Sequence, residues 1–251
     1  MTLNPESGAH GGAAQRNFMP MGPTETLAVF GVGTGLMFLA THVVIPDVAK
    51  QTGVEPVLIW FLAGGLGVFA PLLAIATFML AREEAGGQVG PWRDRLRFHP
   101  MTRDDWIWTV AAMAAIGLAG AGCMAAMRFA WGDVHLHPSF MAMRPLKPDR
   151  YWILAAWLPF WLLNILGEEI LWRGVVLPRQ EATFGRWAWA VHGAGWFMFH
   201  LPFGAAILLT LWPMLFILPY VVQRRRNSWI GVIVHAGLNG PGFIAVAFGA
   251  A

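Results

Sequence analysis

Two carboxylates and a guanidinium interrupt an apolar run: LPFWLLNIL leads into GEEILWRG, residues 167–174, and then VVLP. Each ionisable side chain at bilayer depth costs about 2.5–3.5 kcal/mol even on insertion scales, so Glu168, Glu169 and Arg173 need a reason to be there. His200, His235 and Asn239 interrupt later runs that are just as apolar. Helical spacing sorts them. Glu169 and Arg173 are four apart and can pair. Glu168 lies about 100° round the helix and shares a face with Asn164, four residues earlier. His235 and Asn239 are also four apart, and Trp196 precedes His200 by four, where it can roof the imidazole. The arrangement predicted is a buried polar pocket lined by Glu168, His200, His235 and Asn239, braced by Glu169–Arg173.

A carboxylate stripped of bulk water can act as general base or acid. Histidine and asparagine can donate to a developing oxyanion. Water held between Glu168 and a histidine would then be the nucleophile of a hydrolase with no covalent intermediate. Glu168, His200 and His235 could instead hold a zinc ion with a bound water, the weaker alternative because no HExxH helix is present. Serine hydrolysis has no support, since there is no GxSxG and the serines lie outside the polar spans. His192, eight residues before His200, reads as packing. His42 reads as an interfacial polar residue, and His135 with His137 as a faint metal pair.

The elements that must carry these groups are membrane spans. Of 251 residues, 57% are hydrophobic and 12% charged, and mean hydropathy is +0.53. Soluble domains carry about 25% charged residues. The expectation is an all-α, polytopic transmembrane bundle of about seven spans: 25–45 (ending at Pro46), 56–81, 106–130, 151–181, 187–200, 204–222 and 229–249. Residues 1–23, rich in Gly, Pro and Ala, are expected to be a disordered tail, and 24–251 a single transmembrane domain with its catalytic core at about 151–245. At 1.5 Å per residue from the assumed ends, Glu168, His200 and Asn239 lie about 20 Å deep and His235 about 14 Å. Three helices thus bring polar groups to a similar level. Span five is too short to cross alone before Pro202, so a cavity is expected between Glu168 and His200.

Trp106, Trp108, Trp131, Trp152, Trp187, Trp189 and Trp229 sit at span ends, as interfacial tryptophans do. Trp157, Trp161 and Trp212 read as core packing. The single cysteine, Cys123, excludes an intrachain disulfide and a cysteine-based zinc site. The pI near 9.6 comes from arginines in loops: five in 82–105, three in 173–186, and Arg224–Arg225–Arg226. They read as topology signals that place the N-terminus in the cytoplasm, not as a nucleic-acid surface.

The order of motifs adds a resemblance. Glu168-Glu169-Ile170-Leu171-Trp172-Arg173, then Trp196 to His200, then His235 to Asn239 resembles the CPBP intramembrane proteases. These are the CAAX prenyl endopeptidases and their bacterial relatives, the Abi family. The resemblance covers about 165–240. It implies a site inside the bilayer, with Glu168 as general base helped by His200, and His235 and Asn239 positioning water or stabilising the oxyanion. The implied substrate is a membrane-anchored protein or peptide, with no cofactor required and zinc the lesser possibility. The family usually has phenylalanine where this chain has Trp196. Two rival classes share these features. A proton-coupled transporter would use intramembrane Glu, His and Arg, with a helix broken at Gly240-Pro241-Gly242. An immunity or scaffold protein would keep the fold without catalysis.

Overall fold

The computed structural model describes residues 19–86, 91–132 and 138–249. Most of the expected tail, and His135 with His137, lie outside these residues. Among the described residues there are helices and turns and no strand. Six helical stretches are long and apolar enough to cross a membrane. We label them α1 (Pro23–Thr52), α2 (Pro56–Ala85), α3 (Arg103–Trp131), α4 and α5 within Trp152–Phe199, α6 (Ala205–Arg225) and α7 (Ser228–Ala247). Seven spans were expected. The fourth and fifth run on as one 48-residue helical stretch, split here into α4 (152–184) and α5 (Ala188–Phe199).

The chain reverses between them at Gly185, whose φ of +54° is one that a side chain would resist. Two contacts prove the reversal: Gln180 meets His192, and Glu168 meets Trp196. Partners that move apart in sequence as they leave the turn belong to antiparallel neighbours.

Prolines shape the winding. Three segments widen from α to π geometry: Leu39–Val44, Gly65–Phe69 and Glu169–Val176. Each ends two residues before a proline, namely Pro46, Pro71 and Pro178. Proline has no N–H to give the carbonyl four residues back, and its ring crowds that carbonyl. Widening the turn relieves the clash, so the helix survives. Span one therefore does not end at Pro46 but continues to Thr52. Likewise α7 is helical through Pro241, so the break expected at Gly240-Pro241-Gly242 is absent.

The outer surface is as greasy as the core. Leu62, Leu66, Phe78, Val110 and Leu118 all point outward, as the lipid-facing side of a membrane bundle must. This is an integral membrane protein. Inside, Phe30 stacks on Trp172 at 4.4 Å, and Trp172 meets Phe199 edge-on at 5.5 Å. Trp106, Trp131, Trp152, Trp187 and Trp229 are exposed at span ends, as expected. Trp212, expected in the core, is exposed as well.

The arginine-rich segments gather at one end of the bundle. Arg95 and Arg179 share Glu83, Arg97 pairs with Glu181, and Arg225 pairs with Asp105. Asp105 also closes a capping box with Thr102 that starts α3. Met21 donates its backbone N–H to Arg179 here, so α1 starts at this end. At the opposite end, Leu146 donates to the carbonyl of Ala247, and Glu55 is clasped by Arg144 and Arg150.

Candidate active site

The site forms where α4 changes winding. Glu168 closes the α-helical part and Glu169 opens the π segment. Both are buried. Their carboxylates turn to different neighbours. Glu168 Oε1 accepts from Asn164 Nδ2 at 3.0 Å, one turn back on its own face. Glu168 Oε2 accepts from the indole Nε1 of Trp196 at 2.8 Å, across the reversal. Glu169 Oε1 lies 3.1 Å from an Nη of Arg173 and accepts from His235 Nδ1 at 2.8 Å. Glycine at 231 is a steric requirement, because a Cβ there would collide with Glu169 Oε2.

Trp196 organises the rest. Its backbone carbonyl accepts from His200 Nδ1 at 2.9 Å. Its ring faces His200 and His235 edge-on, with centroids 5.4 and 5.7 Å away. The guanidinium carbon of Arg173 lies 3.4 Å above it. Since a carbonyl and a carboxylate can only accept, both histidines carry their proton on Nδ1 and leave Nε2 for other work. The π-cloud of a tryptophan accommodates a cation that a hydrocarbon would not.

Residues 150–240 match the family model described as type II CAAX prenyl endopeptidase Rce1-like. Over this segment the chain is similar to that family. No curated protein and no solved structure matches the chain. The matched segment holds Asn164, Glu168, Glu169, Arg173, Trp196, His200, His235 and Asn239 together, and the chemistry of a CAAX endopeptidase is peptide-bond hydrolysis at a membrane.

Against the expected pocket, the structure brings together Glu168, His200 and His235 around Trp196, and the Glu169–Arg173 brace is present. Three details differ. His235 is bonded to the brace, through Glu169, and so joins brace to pocket. Asn239 is exposed and its side chain makes no hydrogen bond among the described residues. The space expected to be a cavity between Glu168 and His200 holds the Trp196 indole, which is fully buried. A residue that was expected only to roof His200 thus fills the gap and binds Glu168. His192 is structural, donating from Nδ1 to Gln180, which in turn donates to Thr26. What sequence reasoning missed is the indole N–H. The departure from phenylalanine was visible, but not that it adds a donor aimed at the carboxylate.

As a metal centre the site fits poorly. Among the described residues no three His, Cys, Asp or Glu side chains are grouped to hold one ion.

Proposed function

We propose that the chain is an intramembrane endopeptidase in which Glu168 activates water for attack on a peptide bond of a membrane-associated protein or peptide. The observation that supports this best is the buried Glu168 carboxylate, held by Asn164 and Trp196 beside an imidazole with a free Nε2. Each carboxylate oxygen has a second lone pair beyond the bond it accepts. Water would donate one hydrogen to Glu168 and the other to His200 Nε2. Glu168 takes the proton as the oxygen attacks the scissile carbonyl. The proton then passes from Glu168 to the leaving nitrogen as the C–N bond breaks.

The tetrahedral oxyanion needs donors. His235, held through Nδ1 by Glu169, presents its Nε2 side to the site and is one candidate. The exposed amide of Asn239, one helical turn on, supplies a second once substrate is bound. Arg173 braces Glu169 from the same helix. Substrate entry requires the Trp196 indole to yield space or the peptide to approach from the side of Asn239. By the excess of arginine at the end where α1 begins, that end faces the cytoplasm, with the N-terminus.

The test is cleavage of an unbiased peptide library by purified protein in reconstituted membranes, with Glu168→Ala, His200→Ala and Glu169→Gln compared, with and without chelator. Loss in Glu168→Ala and His200→Ala together with indifference to chelator supports the glutamate mechanism. Loss with chelator and recovery with zinc reassigns the same side chains as ligands. Transport that depends on a gradient and survives Glu168→Ala would sink the protease reading.

A further inference from the structure

The arginine-rich end carries side chains of both charges, yet its guanidinium groups divide sharply by what they meet. Arg95, Arg97, Arg179 and Arg225 are all paired with carboxylates. Arg186, Arg224 and Arg226 have no carboxylate partner among the described residues, and all three are exposed. These three line one cleft of about 380 Å³, together with Trp189, Tyr220 and Gln223. The run Arg224–Arg225–Arg226 therefore splits by geometry: its middle member braces α6 to α3 through Asp105, and the outer two turn to the cleft.

The cleft is built rather than accidental. Its two walls are the reversal after α4 and the C-terminal turn of α6. Gln223 ties them, accepting from the Trp189 backbone N–H at 2.7 Å and donating to the Gly185 carbonyl at 2.9 Å. Trp189 and Tyr220 meet edge-on at 5.6 Å inside it. Arg226 holds a left-handed backbone at φ +53°, a conformation that glycine or asparagine would adopt more cheaply. The cost is borne by a residue whose side chain lines the cleft.

We propose that this cleft binds the phosphate headgroup of an anionic membrane lipid. Three arginines lining one cleft match a phosphate in charge and can donate hydrogen bonds to its oxygens. The two aromatics place the cleft at the level of the headgroups, where tryptophan and tyrosine gather. Basic pockets between spans are where anionic headgroups lodge. Topology signalling and the helix dipole account for arginines at this end, but neither requires three of them to line one cleft with an aromatic pair. The lipid would pin the reversal that positions Trp196 and His200 against Glu168.

The test uses the full chain in nanodiscs of phosphatidylcholine with or without phosphatidylglycerol, and native mass spectrometry to count the lipid retained. Compared with it are Arg186→Gln/Arg224→Gln/Arg226→Gln and a control with the same charge change at exposed arginines of the same end, Arg82→Gln/Arg93→Gln/Arg103→Gln. The expected result is preferential retention of phosphatidylglycerol. The cleft variant should lose that preference on the order of 100-fold, roughly fivefold per arginine, and the control should keep it within a few-fold. Single Arg224→Gln and Arg226→Gln variants, each down roughly fivefold, decide the matter if the triple variant unfolds. An equal loss in the control, or no preference in the parent protein, overturns the proposal. Displacement of the lipid by millimolar inorganic phosphate assigns the cleft to free phosphate and overturns it also.

Discussion

Two buried charge networks share α4, and they are finished to different standards. At the arginine-rich end, Glu83 accepts from Arg95 at 2.5 and 2.8 Å and from Arg179 at 2.7 Å. Their remaining donors also find acceptors: Arg95 Nη1 reaches the Gly174 carbonyl at 2.9 Å, and Arg179 Nη2 reaches that of Met79 at 3.1 Å. Gly174 lies four residues before Pro178, so its carbonyl is the one proline cannot serve, and arginine takes the freed acceptor. In the middle of the bundle, by contrast, Glu169 Oε2 and the Nε and both Nη atoms of Arg173 are buried without a hydrogen bond. Arg173 rests on a ring face and one ion contact that is not a hydrogen bond. Buried polar groups are almost always satisfied, and exceptions concentrate at sites under functional constraint. The satisfied network holds the fold. The unsatisfied one keeps bonding capacity in reserve where a reaction would need it.

That contrast is sharpest at the two glutamates. Glu168→Gln is expected to lower cleavage by about 10²- to 10⁴-fold, the range of a lost general base, with little change in thermal stability because the amide keeps its place between Asn164 and Trp196. Kinetics and a melting curve on the same preparation check both halves. Glu83→Ala is expected to do the reverse. It strands two buried guanidinium groups and should cost about 3–5 kcal/mol, read as a fall in the unfolding midpoint in detergent, while the folded fraction cleaves normally. If Glu83→Ala abolished cleavage without destabilising the protein, the division between the networks would fail.

The sequence exposed one of these networks and hid the other. Glu169–Arg173 could be read because both partners lie on one helix at a fixed spacing. Glu168 and His200 could be placed at one depth, with His235 about one turn away, because apolar spans have a known rise per residue. Glu83, Arg95 and Arg179 come from three segments, and no local rule joins them, so they read only as loop charges. The role of Trp196 was half visible: its spacing to His200 is helical, whereas its bond to Glu168 depends on where the chain reverses. Asn239 shows the limit of spacing. It lies four residues from His235, yet α7 leaves it exposed, because a shared face is broad and neighbouring helices cover only part of it. The π segments were legible in principle from Pro46, Pro71 and Pro178, which look like helix ends until packing shows the helix widening past them.

Trp196→Phe separates the two uses of that side chain. The ring remains beneath Arg173, and the N–H on Glu168 is lost. A hydrogen bond to a charged group is worth about 1.5–3 kcal/mol, so kcat should fall roughly ten- to hundredfold with KM nearly unchanged. Steady-state kinetics in proteoliposomes would show it. An unchanged kcat with a lower melting point would mean the indole serves packing alone and would move Trp196 into the structural network.

The mildest perturbation lies at the far end, where a third ion cluster sits half in solvent and tests whether exposure alone explains low energetic weight. Burial pushes the Glu55 carboxyl up, but hydrogen bonds and charge from Arg144 and Arg150 outweigh it and hold it below the ordinary glutamate value. A carboxyl held down in the folded state adds stability above its unfolded pKa, and that contribution is lost as pH falls through the folded value. Arg144 is 80% exposed, whereas Arg150 is 14% exposed. Arg144→Gln should therefore cost less than about 1 kcal/mol at neutral pH, Arg150→Gln should cost more than Arg144→Gln, and both differences should shrink once Glu55 is protonated. Melting points measured from neutral pH down into the carboxyl range would reveal the order. Equal costs for the two arginines would show that the surroundings of Glu55, rather than the burial of each partner, set the strength of the pair.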